Sequence, residues 1–335
     1  MRTPSQKKAY QRLRQRLAKY ELQVEDIIGR MVERAATGAV SVGYDGVAAF
    51  AFADYPELRN LVETMLADYA AQMQSLIYSG TSAEWAESNT AQDALADTVL
   101  KKYSFTEKGA RRTRYYETNN QALKAFQQRT ERGMNLSERI WSQAEGVQKE
   151  LEAALSAGVE KGMSAVTLSK RVSQYLRDFP SLKKDYGERF GKAADIHDCE
   201  YRSARLARSE INMAYRNAEQ ERWQQMDFII GYEVHTSGSH PAEDICDQLA
   251  GSYPKDFVFE GWHPNCMCYR TSIIKTEKEF WSGSEGAAAV TELPDQFVRY
   301  VEANADRITG QQARGTEPYF IRDNPTDVTT ILNNL

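Results

Sequence analysis

Between residues 240 and 268 the sequence gathers side chains able to bind a metal: His240, Cys246, His263, Cys266 and Cys268. Three of the four cysteines and two of the four histidines in the chain fall there. Thiolates and imidazoles are the donors of closed tetrahedral zinc sites, usually supplied as two short-spaced pairs from separate turns. Here the pairs are His240 with Cys246, and two of His263, Cys266 and Cys268. The first pair is spaced His-x5-Cys, and Glu243 stands where a Cys-x2-Cys pair would have its first cysteine. Four such ligands make a structural ion. A catalytic zinc keeps an open position beside a general base. The deaminase pattern, His-x-Glu followed by Pro-Cys-x-x-Cys, is not matched by His240-Pro-Ala-Glu243 and Asn265-Cys266-Met267-Cys268. Packed, reduced thiols are the other reading, because cysteine often behaves as a small buried hydrophobe. On either reading the stretch staples a small β-rich unit.

The elements around it follow from periodicity. Residues 228 to 236 alternate and are β-branched or aromatic, which predicts a strand, and Tyr269 to Ile274 predicts a second that pairs with it. Before them, Arg202 to Met226 predicts a long helix. Its inner face carries Ala207, Ile211, Ala214 and Ala218, and its outer face Arg205, Arg208, Asn212, Arg216 and Glu219. Residues 5 to 35 form an amphipathic helix with Leu13, Leu17, Tyr20, Val24, Ile27, Ile28 and Met31 on one stripe. A hairpin or extended passage is expected from Val40 to Phe52, then a helix from Glu57 to Ser79 stopped by Gly80 and another over 82 to 103, interrupted near Ser88. Asn135-Leu-Ser-Glu138 reads as a capping box opening a helix that ends near Gly158. A helix from Ser164 ends before Pro180, and residues 181 to 198 loop out. The fold class is mainly α, with long helices and a small Cys/His-stapled β unit near residues 228–275. The expected domains are a helical assembly region, 1–133; a domain with the Cys/His knuckle, 134–275; and a linker, short helix and extended tail, 276–335.

Composition narrows the function. At 335 residues with 41% hydrophobic content the chain can build more than one core. No apolar run has the length of a membrane span and the first residues lack the apolar stretch of a signal peptide, so no membrane partner and a cytosolic, reducing setting are expected. The net charge of −5 argues against a protein that coats phosphates. The charge is nevertheless in blocks. Residues 60 to 100 hold six acids and no base, and residues 101 to 133 hold nine bases against three acids. Such blocks are expected as solvated faces or intramolecular partners.

Taken together, Leu206-Ala-Arg208-Ser-Glu210-Ile-Asn212-Met-Ala-Tyr215, Glu221-Arg-Trp223, Asp244-Ile-Cys246-Asp and Gly261-Trp-His263-Pro-Asn-Cys266-Met-Cys268 resemble the phage minor head protein family, also called Mu protein F-like or head-morphogenesis proteins. The likeness runs over about residues 120 to 275, and the pairing of an Arg-x-Glu-x-Asn helix with a terminal His-Pro-x-Cys-x-Cys is what makes it specific. It implies a structural, non-enzymatic component of a tailed phage or prophage. Such a protein is assembled in the bacterial cytoplasm, lies inside the head near the portal, and is needed for head assembly or for DNA packaging or ejection. Its implied partners are the portal protein and other head proteins, with a weak contact to packaged DNA as a lesser expectation. Arg208, Glu210, Asn212 and Tyr215 carry over as a structural motif tying the helix to the knuckle, by hydrogen bonds to turn groups that would otherwise be unsatisfied. The competing functions are a metal-dependent or toxin-like enzyme and a DNA-binding ejection protein.

Overall fold

The computed structural model describes residues 4–106, 109–238 and 243–335. Among these the protein is mainly helical, with fourteen α-helices and one small antiparallel sheet. The chain divides into two compact units, each assembled from separate stretches. Unit 1 comprises residues 1–17, 80–128 and 209–335, and unit 2 residues 18–79 and 129–208. Three long helices, α1 (Pro4–Ser41), α2 (Arg59–Lys102) and α8 (Cys199–Gln225), contribute residues to both.

Unit 2 is all-helical. Its core joins Val24, Ile27, Ile28, Met31 and Val32 of α1 to Met65, Tyr69 and Met73 of α2 and to the inner faces of α5 (Leu136–Gly158) and α6 (Ala165–Arg177). Each of these last two starts where the sequence places its cap. The Asn135 side chain accepts from the Glu138 N–H while Glu138 reaches back to the Asn135 N–H, and Ser164 accepts from the Thr167 N–H. The passage expected as a hairpin after Val40 is instead the last turn of α1, a turn and two short 3₁₀ segments at Phe52–Asp54 and Pro56–Leu58. The amides a hairpin would pair are taken by α5, with Phe50 N–H donating to Ser156 Oγ (2.8 Å) and Phe52 N–H to Glu152 Oε1 (3.0 Å). Pro180 opens α7 (Phe179–Phe190) where a loop is expected, because proline is tolerated in a first helical turn.

Unit 1 holds the sheet, in the order β2-β1-β3: β1 Ile229–His235, β2 Gly251–Tyr253 and β3 Tyr269–Ile274. The central strand pairs Glu233 with Ser252 on one side and with Thr271 on the other. Gly231 sits at a register shift with φ 152°, where an added Cβ would meet Val290 and the Tyr253 carbonyl oxygen at about 3.0–3.1 Å, so only glycine fits.

Helix α2 does not stop at Gly80, nor is it broken at Ser88. Of the polar residues in this stretch, Glu84, Asn89 and Gln92 are buried and paired. Arg16 forms a fork to Glu84 (2.7 and 2.6 Å), Arg222 donates to Asn89 Oδ1 (3.0 Å), and Trp223 Nε1–H donates to Gln92 Oε1 (2.8 Å). The outer face assigned to α8 is corrected likewise: Asn212, Arg216 and Glu219 are buried. Glu219 accepts from Arg270 Nε (3.0 Å) and from the Tyr10 hydroxyl (2.7 Å), and the Arg270 guanidinium lies over Trp223 (4.7 Å). Where an extended tail is expected, α11 (Asp295–Ala303) and α12 (Ala305–Gln312) are followed by two more helices, α13 (Tyr319–Arg322) and α14 (Pro325–Asn333). Phe320, Ile321, Val328 and Ile331 of these last two are buried, and Asn324 between them exchanges two bonds with the Val258 backbone (2.7 and 2.9 Å).

Candidate metal centre

The knuckle lies in the connections between β1, β2 and β3, against α8 within unit 1. A short helix, α9 (Ile245–Leu249), delivers Cys246. Asp244 caps it, accepting from Cys246 N–H (2.7 Å) while Asp247 accepts from Asp244 N–H (3.1 Å). The other arm is the loop from Gly261 to Cys268, closed by a Cys266 N–H bond to the His263 carbonyl (3.0 Å), with Asn265 in the left-handed region at φ 65°. Gly261 has φ 144°, and a Cβ there would come within 2.8 Å of Arg216 Nη1 and 3.1 Å of Cys266 Cβ, so glycine is what lets the loop close over the arginine. Trp262 fills the other side, packed on Tyr253, Phe257, Phe259 and Phe320.

Helix α8 holds this loop by its carbonyls. Arg216 donates to the carbonyls of Cys266 and Cys268 (2.7 Å each) and of Glu260, and Asn212 Nδ2 donates to the Cys266 carbonyl (2.9 Å). These acceptors belong to buried residues, so a fixed cation satisfying three of them at once gives the loop one conformation.

Cys246, Cys266 and Cys268 are buried, with their sulfurs within 4.8 Å of one another. The Cys246 and Cys266 sulfurs are 3.8 Å apart, the edge of a tetrahedron whose metal–sulfur bonds are about 2.3 Å. A second triad shares Cys246 and adds His263 and Asp244. His263 Nδ1–H donates to the Pro264 carbonyl (2.7 Å), which fixes the tautomer and turns the Nε2 lone pair inward, 3.1 Å from Cys246 Sγ and 3.4 Å from Asp244 Oδ2. A backbone carbonyl on the far nitrogen is the usual support of a metal-bound histidine. The ring nitrogen, the carboxylate and the Cys246 sulfur form one triad and the three sulfurs the other, joined at Cys246, and either could hold a cation.

The thiols do not ionise alike. Burial pushes Cys266 up, but S–H donation from Cys246 and Cys268, with the Arg216 guanidinium close by, outweighs it and holds Cys266 well below the ordinary thiol range. Cys246 is pushed up, first by the hydrogen bond that it gives to Cys266. Its bond with Cys246 lowers Cys268, yet Cys266 and burial leave that thiol raised. Three sulfurs this close, with Cys266 drawn toward its charged form by its neighbours, are a donor set that could hold a soft divalent ion.

The expected ligands thus fall into place unequally. Cys246, Cys266 and Cys268 come together and His263 lies against Cys246, whereas His240 lies outside the described residues. Glu243 is exposed, and the carboxylate that faces the cluster is its neighbour Asp244. Of the helical motif, Asn212 reaches the knuckle. Tyr215 is buried edge-on against Tyr10 (5.3 Å), Glu210 is buried, and Arg208 belongs to unit 2, where it pairs with Glu21 (2.7 Å). The residue that does most for the loop, Arg216, is one that periodicity places on the outer face. Its position four residues after Asn212, hence on the same helical face, is the signal that would have found it. The fourth cysteine, Cys199, is buried elsewhere, in unit 2, its thiol pushed up by burial and by the adjacent Glu150. No protein-family model, curated protein or solved structure matches this chain.

Proposed function

We propose that the protein is a structural minor head, or head-morphogenesis, protein of a tailed phage or prophage, and that its knuckle is a structural zinc site. The observation that carries the reading is the buried Cys246–Cys266–Cys268 cluster with His263 against it, clamped onto α8 by Asn212 and Arg216. It joins the two sequence motifs on which the resemblance rests. Three thiolates and one imidazole would close a tetrahedron and leave no position for substrate, so the ion would stabilise the fold and perform no chemistry. Cys246, Cys266, Cys268 and His263 would hold it, with Asp244 beside His263 as an outer carboxylate. A rigid, metal-stapled unit suits a low-copy component that must keep its shape inside a head near the portal. The partners of this reading are the portal protein and other head proteins, met in the bacterial cytoplasm during assembly.

The test is co-expression of the full chain with the portal protein encoded in the same genome, followed by co-purification at low and at high salt. A stable complex at both, as expected of an interface of about 1,600 Å² or more with an apolar centre, supports the assignment. Failure to associate with the portal or with any coat or scaffold protein of that genome contradicts it.

A further inference from the structure

We propose that a groove beside α10 (Glu277–Ser282) binds single-stranded nucleic acid, with a base stacking on Trp281 and phosphates held by Lys275 and Lys278. The groove lies within unit 1, away from the cysteine cluster, and does not depend on the metal. It is lined by Lys102, Ile274, Lys275, Glu277, Lys278 and Trp281 and encloses about 620 Å³, inside the range of roughly 300–1,000 Å³ that small-ligand clefts occupy.

Trp281 is the unusual part. A tryptophan left half exposed (50%) is ordinarily mobile, but this one is fixed from behind. Its indole N–H donates to the Tyr103 carbonyl (3.2 Å), one ring face is stacked on Phe105 (5.8 Å between centroids, 23° between planes), and Phe280 meets it edge-on (5.2 Å, 76°). Arg111 in turn sits over Phe280 (4.5 Å). The aromatic stack is therefore rigid, and the rest of the indole lines the groove. Three lysines and one carboxylate share that groove, so it is positively charged within a protein of net charge −5. A fixed aromatic platform with lysines beside it is the arrangement by which proteins take up single strands without reading sequence, since every base offers a π-face and every linkage a phosphate. An acidic peptide would use the lysines and leave the indole unmatched, and a duplex would keep its bases stacked on one another.

Fluorescence anisotropy of a labelled twelve-residue oligothymidylate with the full chain, at about 50 mM salt, tests this. The expected result is saturable binding that weakens about tenfold or more in Trp281→Ala, as loss of one base–aromatic stack implies, and that Trp281→Phe partly restores. Lys275→Ala with Lys278→Ala should flatten the dependence of log affinity on log salt by about 1.4, at roughly 0.7 per phosphate contact. Because Trp281 also packs on Phe105, the exposed Lys278→Glu serves as the variant that leaves the fold intact, and it too should weaken binding. Oligouridylate binding equally well places the contact on base and phosphate alone and supports the proposal. The proposal is overturned if no oligonucleotide binds, if all variants bind like the parent, or if duplex DNA or a polyglutamate peptide competes as well as the single strand.

Discussion

At the scale of single residues, the cysteines were legible and the cations were not. Clustered thiols and imidazoles announce a site by type and spacing, and three of them do converge. Periodicity places Arg216 on the outer face, because it counts apolar positions and treats a guanidinium as solvent-facing by default. Its partners are backbone carbonyls some fifty residues downstream, which no local pattern reports. Asp244 gives no local signal for the same reason, since its part in the cluster depends on the turn that α9 makes. Two of the helix's arginines, Arg216 and Arg208, should therefore behave differently. Replacing Arg216 by Met strips three buried carbonyls of a charged donor and should cost about 3 kcal/mol or more. Replacing Arg208 by Ala breaks a partly exposed pair with Glu21 and should cost no more than about 1 kcal/mol. Urea unfolding of the two variants checks this, and equal losses would show that the loop is not held by Arg216.

Elements read from capping chemistry and strong apolar stripes were found at their expected positions: α5 and α6 start at Asn135 and Ser164, and β1 and β3 flank the knuckle. Elements whose order depends on distant partners were not legible. Gly80 resembles a stop, yet α2 runs on because the polar residues beyond it find Arg16, Arg222 and Trp223. The last helices look like a tail because their buried residues are few and interrupted by prolines. One cap carries a pH signature. At the start of α10, the Glu279 carboxylate accepts N–H bonds from Ala287 (2.6 Å) and Thr276 (2.7 Å), which draw its pKa from 4.5 down to about 2. A carboxylate with a depressed folded-state pKa contributes stability that is present above the unfolded value and lost as pH falls through the folded one. The contribution of Glu279 is thus full above about pH 4.5 and gone by about pH 2. Between those limits the stability of Glu279→Gln should fall less steeply with acid than that of the parent, in urea melts taken at pH 5, 4 and 3. Parallel slopes would remove the carboxylate from the account.

At the scale of the whole molecule, the blocks of charge read in the sequence are partly spent inside unit 1, where acids of α2 meet arginines of α1 and α8 as Arg16–Glu84 and Arg222–Asp93 (2.6 Å each). That the units are interleaved along the chain was not legible, since periodicity is local and says nothing about which distant stretch a helix joins. The interleaving also sets what a metal at the knuckle would stabilise. Ligand loops far from the termini are tied to α8, the sheet and the last helices of the same unit, so losing the ion would release that unit's aromatic core and not the loop alone. Metal content measured together with thermal stability tests the central claim most directly. Protein purified without added metal should carry about one Zn²⁺ per chain, and stripping it with a chelator, or replacing Cys266 by Ser, should lower the melting temperature of unit 1 while the all-helical unit 2 keeps its own transition. A metal-free protein that melts at the same temperature with and without chelator, and in which Cys266→Ser folds like the parent, would contradict it.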